Sequence, residues 1–178
     1  MRSRYKASFY GSWIKSGFSA LLHLMARTLP GGKDLRPFLH RLRGVKIHTN
    51  VYIGEDVYID GDYPESVEIL DDVVIAPRCT IIAHTGPEQP GHILIERRAA
   101  IAAGCVIVCP YGKTLTIGEG AVISAGSTVL NDIPAYTLCG AARIKVFGKV
   151  TVPWDSAENY EEFRRGLVPL RARNFGNE

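Results

Sequence analysis

The sequence predicts a mainly β protein: a parallel β-helix of about four triangular coils, with an amphipathic helix before it and a short helix after it. Three observations carry that prediction. From residue 45 onward, apolar residues recur every six positions. The recurrence is interrupted only after every third repeat. Gly54, Gly104, Gly118 and Gly126 fall at the ends of repeats, where a chain must bend.

The N-terminal segment, residues 1–43, is read as helical. Ile14, Phe18, Leu21, Leu22, Met25 and Leu29 follow helical spacing, and "PGG" at 30–32 closes the helix. Arg2, Arg4 and Lys6 ahead of the run 18–26 resemble a signal peptide only faintly. Ser19 and His23 interrupt the run, and no small-x-small cleavage site comes before Pro30. The run is also far short of the roughly 20 apolar residues that span a bilayer. The helix over 9–29 is expected to pack on its own protein or a sister subunit, or to lie peripherally on a membrane. Packing is favoured because Lys15 and Arg27 nearly alone supply a cationic face.

The β-helix is placed at 44–148. One apolar series runs 47, 53, 59; 69, 75, 81; 95, 101, 107; 117, 123, 129. A second runs two places earlier: Val45, Val51, Val57; Val67, Val73, Cys79; Ile93, Ala99, Cys105; Leu115, Ala121, Ser127. Helices repeat near 3.6 residues and strands near 2, so a step of six fits two inward strand positions followed by a turn. Three such steps make one triangular coil. Between trios the step widens to ten, fourteen and ten, so all the added residues leave at one corner. The widest break follows Ile81, in "IIAHTGPEQPGH".

The remaining segment, 149–178, carries "PWDSAENYEEFRRG", which reads as a short helix. Asp155 is its cap, Glu158 its third position and Gly166 its stop.

Composition narrows the function. The chain has 178 residues, 46% of them hydrophobic, enough for one sizeable core. A net charge of +3 argues against nucleic acid as a partner. Cys79, Cys105, Cys109 and Cys139 form no C-x-x-C pair and read as small apolar filler in a reduced, cytoplasmic compartment. No metal is expected.

The repeat "VYIGEDVYIDGDY", with "VEILDDVVIAPRCTIIAHTG", "AAIAAGCVIV" and "TIGEGAVISAGSTVLNDIPAYTLCG", resembles the hexapeptide-repeat acyltransferases. It is similar to the galactoside, maltose and polysaccharide O-acetyltransferases among them. The resemblance covers roughly residues 44–148. It implies a left-handed parallel β-helix, a homotrimer, and acetyl-CoA as co-substrate in a groove between neighbouring β-helices.

The resemblance also implies site roles. Acyl transfer from a thioester needs a base for the attacking hydroxyl, and imidazole suits it near neutral pH. His84 sits where polysaccharide-modifying relatives carry that base, with His92 and His48 as weaker rivals. Asp60 and Asp62 of "YIDGDYP" are expected to bind acceptor hydroxyls, or to serve only as turn residues. Glu88 in the loop is a further substrate-side candidate. For the CoA, the resemblance points to backbone along Ala102–Ala103 and Ser124–Ala125. Asn131 stands where relatives often have lysine. Arg143 and Lys145 are candidates for the nucleotide phosphates, with Arg97 and Arg98 as alternatives. Nothing suggests covalent catalysis: Ser124 and Ser127 lack an adjacent base.

The expected function is O-acetylation of a sugar or glycan hydroxyl in polysaccharide or glycolipid biosynthesis. Three alternatives stand beside it. One is N-acylation of an amino sugar. Another is a γ-carbonic-anhydrase-like hydratase, which needs histidines converging on one metal; His48, His84 and His92 hold different repeat positions. The last is a non-catalytic scaffold.

Overall fold

The structure is a computed structural model that describes residues 9–85, 90–141, 148–153, 156 and 158–169. It forms two compact units, residues 1–141 and 142–178.

In the first unit, short strands wind into a parallel β-solenoid of about four coils. Coil one comprises β1 (Lys46–Ile47), β2 (Tyr52–Ile53) and β3 (Tyr58–Ile59). Coil two comprises β4 (Val67–Ile69), β5 (Val74–Ile75) and β6 (Thr80–Ile82). Coil three comprises β7 (His92–Ile95), β8 (Ala100–Ile101) and β9 (Val106–Val108). Coil four comprises β10 (Thr114–Ile117), β11 (Val122–Ile123) and β12 (Thr128–Val129). Like strands stack into three parallel sheets: A from the first strand of each coil, B from the second and C from the third. Register follows the repeat, with Ile53 on Ile75, Ile75 on Ile101 and Ile101 on Ile123.

Both predicted inward series are buried throughout. No coil could bury these side chains alone. Stacking removes each isoleucine from water, worth about 1.5–3 kcal/mol apiece. Cys79 and Cys105 lie in the same column, and burial pushes the Cys79 thiol up to about 11. A partial fifth coil follows: Ile133 bridges to Ile117, and β13 (Leu138–Cys139) pairs with β11. The six-residue step from Ile133 to Cys139 marks it in the sequence.

The corners turn differently from the glycine reading. Positive φ falls on Asn50, Asp72, Arg98, Gly120 and Tyr136 at the corner between sheets A and B, and on Asp56, Arg78, Gly104 and Gly126 at the corner between B and C. Gly54 and Gly118 are not among them. A Cβ on Gly54 would lie 2.4 Å from the Pro77 nitrogen, and one on Gly118 would lie 2.4 Å from the Ala135 nitrogen. These two glycines let successive coils approach.

Two helices cover the first coil: α1 (Phe9–Thr28) and α2 (Leu35–Leu42). Leu22, Ala26 and Leu39 are buried between them, with Met25, Leu29 and Leu35 packed alongside. The second helix departs from the single predicted one. The expected packing face holds only in part, because Phe18 and Leu21 are exposed, as is Leu24. Among the described residues, no helix is long and apolar enough to cross a membrane.

The helices answer a backbone problem. Alternate residues bond in opposite directions: Tyr58 N–H and Asp60 N–H donate to Cys79 O and Ile81 O of the following coil, whereas Ile53 N–H points the other way and donates to Gly32 O. The first coil therefore presents a row of carbonyls with no preceding coil to pair them. Arginines of α2 and its C-terminal end meet that row on all three sheets. Arg41 Nε donates to Ile47 O at 2.8 Å, Arg36 Nη1 to Ile53 O at 3.2 Å and Arg43 Nη2 to Ile59 O at 3.1 Å.

In the second unit, β14 (Gly148–Val150) pairs antiparallel with β15 (Leu167–Pro169), and α3 spans Tyr160–Arg165. The predicted cap, Asp155, lies outside the described residues. The helix starts later than predicted, and Asn159 Oδ1 caps it by accepting from Glu162 N–H at 3.0 Å.

The two kinds of glycine should respond differently to alanine. Gly54→Ala forces a methyl group into neighbouring backbone and is expected to cost about 2–4 kcal/mol. Gly104→Ala meets no atom within 4 Å and bears only the cost of positive φ, about 1–2 kcal/mol. Urea denaturation midpoints check the order. Equal losses would mean that Gly54 does not set the coil spacing.

Candidate active site

The insertion corner, where sheet C hands over to sheet A, carries the candidate chemistry. β3 ends at Ile59, and Asp60 follows with its side chain fully buried. Its carboxylate closes the turn that begins the first insertion. Oδ1 accepts from the N–H groups of Asp62 and Tyr63, each at 3.0 Å. Oδ2 accepts from Ala83 N–H at 2.8 Å and lies 2.7 Å from His84 Nδ1.

His84 follows β6 in the next coil, at the mouth of the widest insertion. Its side chain is 27% exposed, and its ring meets that of Tyr63 edge-on at 5.3 Å. Burial alone would raise the Asp60 pKa and is the largest influence on it. Together the hydrogen bonds from His84, Tyr63, Ala83 and Asp62 outweigh burial and hold this carboxyl below the usual range. An ionised carboxylate only accepts, so His84 Nδ1 carries a proton, and in the neutral ring the lone pair then lies on Nε2. Asp62 Oδ2 lies 3.8 Å from Nε2, and its side chain is 79% exposed.

Of the two readings offered for Asp60, the geometry keeps the turn and sets aside the acceptor contact. Asp60 cannot contact an acceptor hydroxyl, because it is buried and both its oxygens are engaged. It orients the imidazole, a function the Asp-Gly-Asp spacing did not reveal. Asp62 stays beside Nε2. Glu88, Arg143 and Lys145 lie outside the described residues. His48 and His92 sit apart on sheet A, flanking Glu68 at 3.4 and 3.9 Å. Among the described residues, no group of three or more His, Cys, Asp or Glu side chains is arranged to hold a metal ion.

The residues expected along the CoA gather at another corner, between sheets B and C. Ala102 N–H donates to Ile123 O and Ser124 N–H to Cys139 O, so those two donors belong to the coil ladder. Among the described hydrogen bonds, none uses the N–H of Ala103 or Ala125, and both residues are exposed. A strand of sheet C, about 10 Å at three residues, separates this corner from the His84 corner. Asn131 lines a cavity of about 430 Å³ at the end of the solenoid, with Gly126, Ser127, Ile133, Cys139 and Gly140. Arg97 and Arg98 are already paired, with Asp71 and Glu119.

Beneath the Asp60 turn lies a buried polar layer that no motif in the sequence marks. Arg43 Nη2 donates to Asp60 O at 2.8 Å, and Arg43 Nη1 lies 3.0 Å from His40 Nδ1. The rings of His23 and Tyr58 meet tilted by 50°, with centroids 4.7 Å apart. Burial, reinforced by Arg43, pulls His40 down to about 3 and His23 to about 4. Both are neutral at pH 7, so His40 Nδ1 accepts from the guanidinium.

The fold and the site together define a class: a three-sided β-solenoid that offers a carboxylate-held imidazole at its insertion corner. Several proteins similar to this chain are named acetyltransferases. No family model matches the chain. The serine acetyltransferase of Bacillus subtilis is 31% identical over 129 residues, covering 70% of this chain and 53% of that protein. The chain thus spans about half the length of the curated relatives it matches. Among solved structures, a hexapeptide-repeat acetyltransferase of Vibrio cholerae complexed with acetyl coenzyme A has a TM-score of 0.57 and 20% identity, covering 78% of this chain and 88% of that one. A galactoside acetyltransferase in complex with coenzyme A gives 0.54 and 21%, covering 77% and 81%. The chain shares the hexapeptide-repeat acetyltransferase fold.

Acid should loosen this end of the molecule. The folded pKa values of His40 and His23 lie below the unfolded value of 6.5, so the unfolded chain binds more protons as pH falls below 6.5. Stability is fully present above that pH and declines toward pH 4, by up to about 3 kcal/mol for His40. Urea midpoints at pH 7.5, 6 and 5 should fall in that order, and His40→Gln should flatten the slope. A pH-independent midpoint would contradict the buried neutral assignment.

Proposed function

We propose that this protein is an acetyl-CoA-dependent O-acetyltransferase acting on a hydroxyl of a sugar or glycan, with His84 as general base. One observation carries the reading: the buried Asp60 carboxylate holds His84 Nδ1, leaving a basic Nε2 at the insertion corner.

The mechanism follows from that arrangement. Nε2 removes the proton from the acceptor hydroxyl as its oxygen attacks the thioester carbonyl. The new C–O bond gives a tetrahedral oxyanion, stabilised by a backbone donor such as the unspent N–H of Ala103. Collapse breaks the C–S bond, and the imidazolium returns the proton to the departing thiolate. Asp60 stabilises the imidazolium between those events and sets the tautomer. Asp62 accepts a hydrogen bond from a second hydroxyl of the acceptor. Asp62 can accept from a polyol hydroxyl or from the ammonium group of an amino acid. The serine acetyltransferase relatives make L-serine the specific rival.

We extend the reading to a homotrimer in the left-handed form of the fold. The separation of the Ala103–Ala125 corner from His84 supports it, because a neighbour can bring the one against the other. A three-fold ring uses heterologous contacts, so such a pairing closes. Sheet B offers a surface for association, with Tyr52, Val74, Ala100, Val122 and Leu138 outward in one uncharged column. We place the protein in the cytoplasm, with Phe18, Leu21 and Leu24 as the face for any peripheral membrane contact. Polysaccharide or glycolipid biosynthesis is the setting.

The test is acetyl transfer from acetyl-CoA to a panel of sugars, glycans, amino sugars and L-serine, read by mass spectrometry. His84→Ala should keep CoA affinity by calorimetry and lose ~10²–10⁴ in kcat, the usual worth of a general base. His92→Ala should stay near wild type. Near-full turnover by His84→Ala would remove the assignment, and preference for L-serine would replace the acceptor. Sedimentation should give a species near three times 19.5 kDa. A fully active monomer would refute the shared site.

A further inference from the structure

We infer that Arg43 is a positioning residue for the acid–base pair, so that the N-terminal helices belong to the catalytic apparatus as well as to the fold. The inference rests on the assignment of His84 as base.

The geometry is a short relay. Arg43 stands at the C-terminal end of α2, where its backbone N–H donates to His40 O at 3.1 Å. Its side chain is buried. One nitrogen, Nη2, reaches two successive carbonyls, Ile59 O at 3.1 Å and Asp60 O at 2.8 Å. Those carbonyls flank the Cα of Asp60, whose carboxylate receives His84 Nδ1 at 2.7 Å. The guanidinium therefore fixes the backbone from which the carboxylate extends. The titratable groups facing this relay come from several elements: His23 from α1, His40 from α2, Tyr58 from β3, and Asp62 and Tyr63 from the insertion corner. Arg43 brings a cation into contact with a turn that otherwise carries the carboxylates of Asp60 and Asp62.

The alternative is that Arg43 serves only the fold, by satisfying edge carbonyls as Arg36 and Arg41 do. The two roles separate at His84. A purely structural arginine leaves the tautomer and titration of a folded protein's His84 unchanged. A positioning arginine does not, since a shifted Asp60 turn loosens the carboxylate–imidazole bond.

The experiment reads His84 directly on the full chain, by two-bond ¹H–¹⁵N correlation of its imidazole, assigned by its loss in His84→Gln. Wild type should show the Nδ1–H tautomer. Arg43→Met should give a tautomer mixture and a shifted His84 titration, with a ~10- to 100-fold lower kcat and little change in KM for acetyl-CoA. Arg43→Lys, which keeps the charge without the fork, should fall between and secures the test if Arg43→Met does not fold. In an Asp60→Asn background, Arg43→Lys should add no further change at His84. Folded Arg43 variants with the wild-type tautomer and titration would overturn the inference. The signal requires no acetyl transfer. A protein that transfers no acetyl group yet loses its tautomer in Arg43→Lys would therefore uphold the relay while refuting the enzymatic reading.

Discussion

A parallel solenoid cannot satisfy its own first coil. Alternate residues of each coil bond forward and back, so coil one begins with carbonyls and N–H groups that no preceding coil can pair, and an open edge of this kind invites pairing with another chain. The answer here is three arginines placed over three sheets: Arg41 on Ile47, Arg36 on Ile53 and Arg43 on Ile59. Guanidinium groups suit the task because each offers several donors and blocks strand addition. Much of the N-terminal architecture follows. α2 must present these side chains to coil one, and α1 must bury the opposite face of α2 through Leu22, Ala26 and Leu39.

The same geometry explains why the site lies where it does. Two corners of the prism are held to fixed length, because the residues on either side must enter the isoleucine columns in register. The corner between sheets C and A carries all the added length, and it can change without disturbing the core. Asp60 joins the two regimes. It occupies a buried position at the end of β3, yet its oxygens organise the insertion: Oδ1 holds the turn at Asp62 and Tyr63, and Oδ2 holds Ala83 and His84 in the next coil. A carboxylate is tolerable inside because four hydrogen bonds replace its lost water.

The inward series could be read from the sequence because a step of six leaves no freedom of face, and every residue of both series is buried. His84 stands out in the sequence because it sits at the widest break. The helix α2 escaped notice because its length is only eight residues and its polar side is what faces the solenoid. Arginines pointing inward invert the pattern that marks a helix as packed. Asp60 was legible as a turn residue but not as the partner of His84, for a related reason. Asp-Gly-Asp describes a turn equally well whether the first carboxylate faces solvent or a histidine in the coil below, and only the stacking of coils decides between them. The glycines show the same limit. Composition marks them as bends, whereas Gly54 and Gly118 are set by distance to the next coil.

The choice of histidine at position 40 completes the argument about charge. A glutamate there would pair with Arg43 and cancel it. A neutral imidazole accepts one hydrogen bond from the guanidinium and leaves the positive charge intact. Its burial has a cost, since the Nε2 atoms of His23 and His40 are buried with no hydrogen-bond partner. What that arrangement preserves is an uncancelled cation bound to the carbonyls on either side of Asp60. A cation there favours the carboxylate form, and that carboxylate holds His84 Nδ1 at 2.7 Å. The polar layer under coil one is thus joined, through the backbone of Asp60, to the placement of a side chain in coil two.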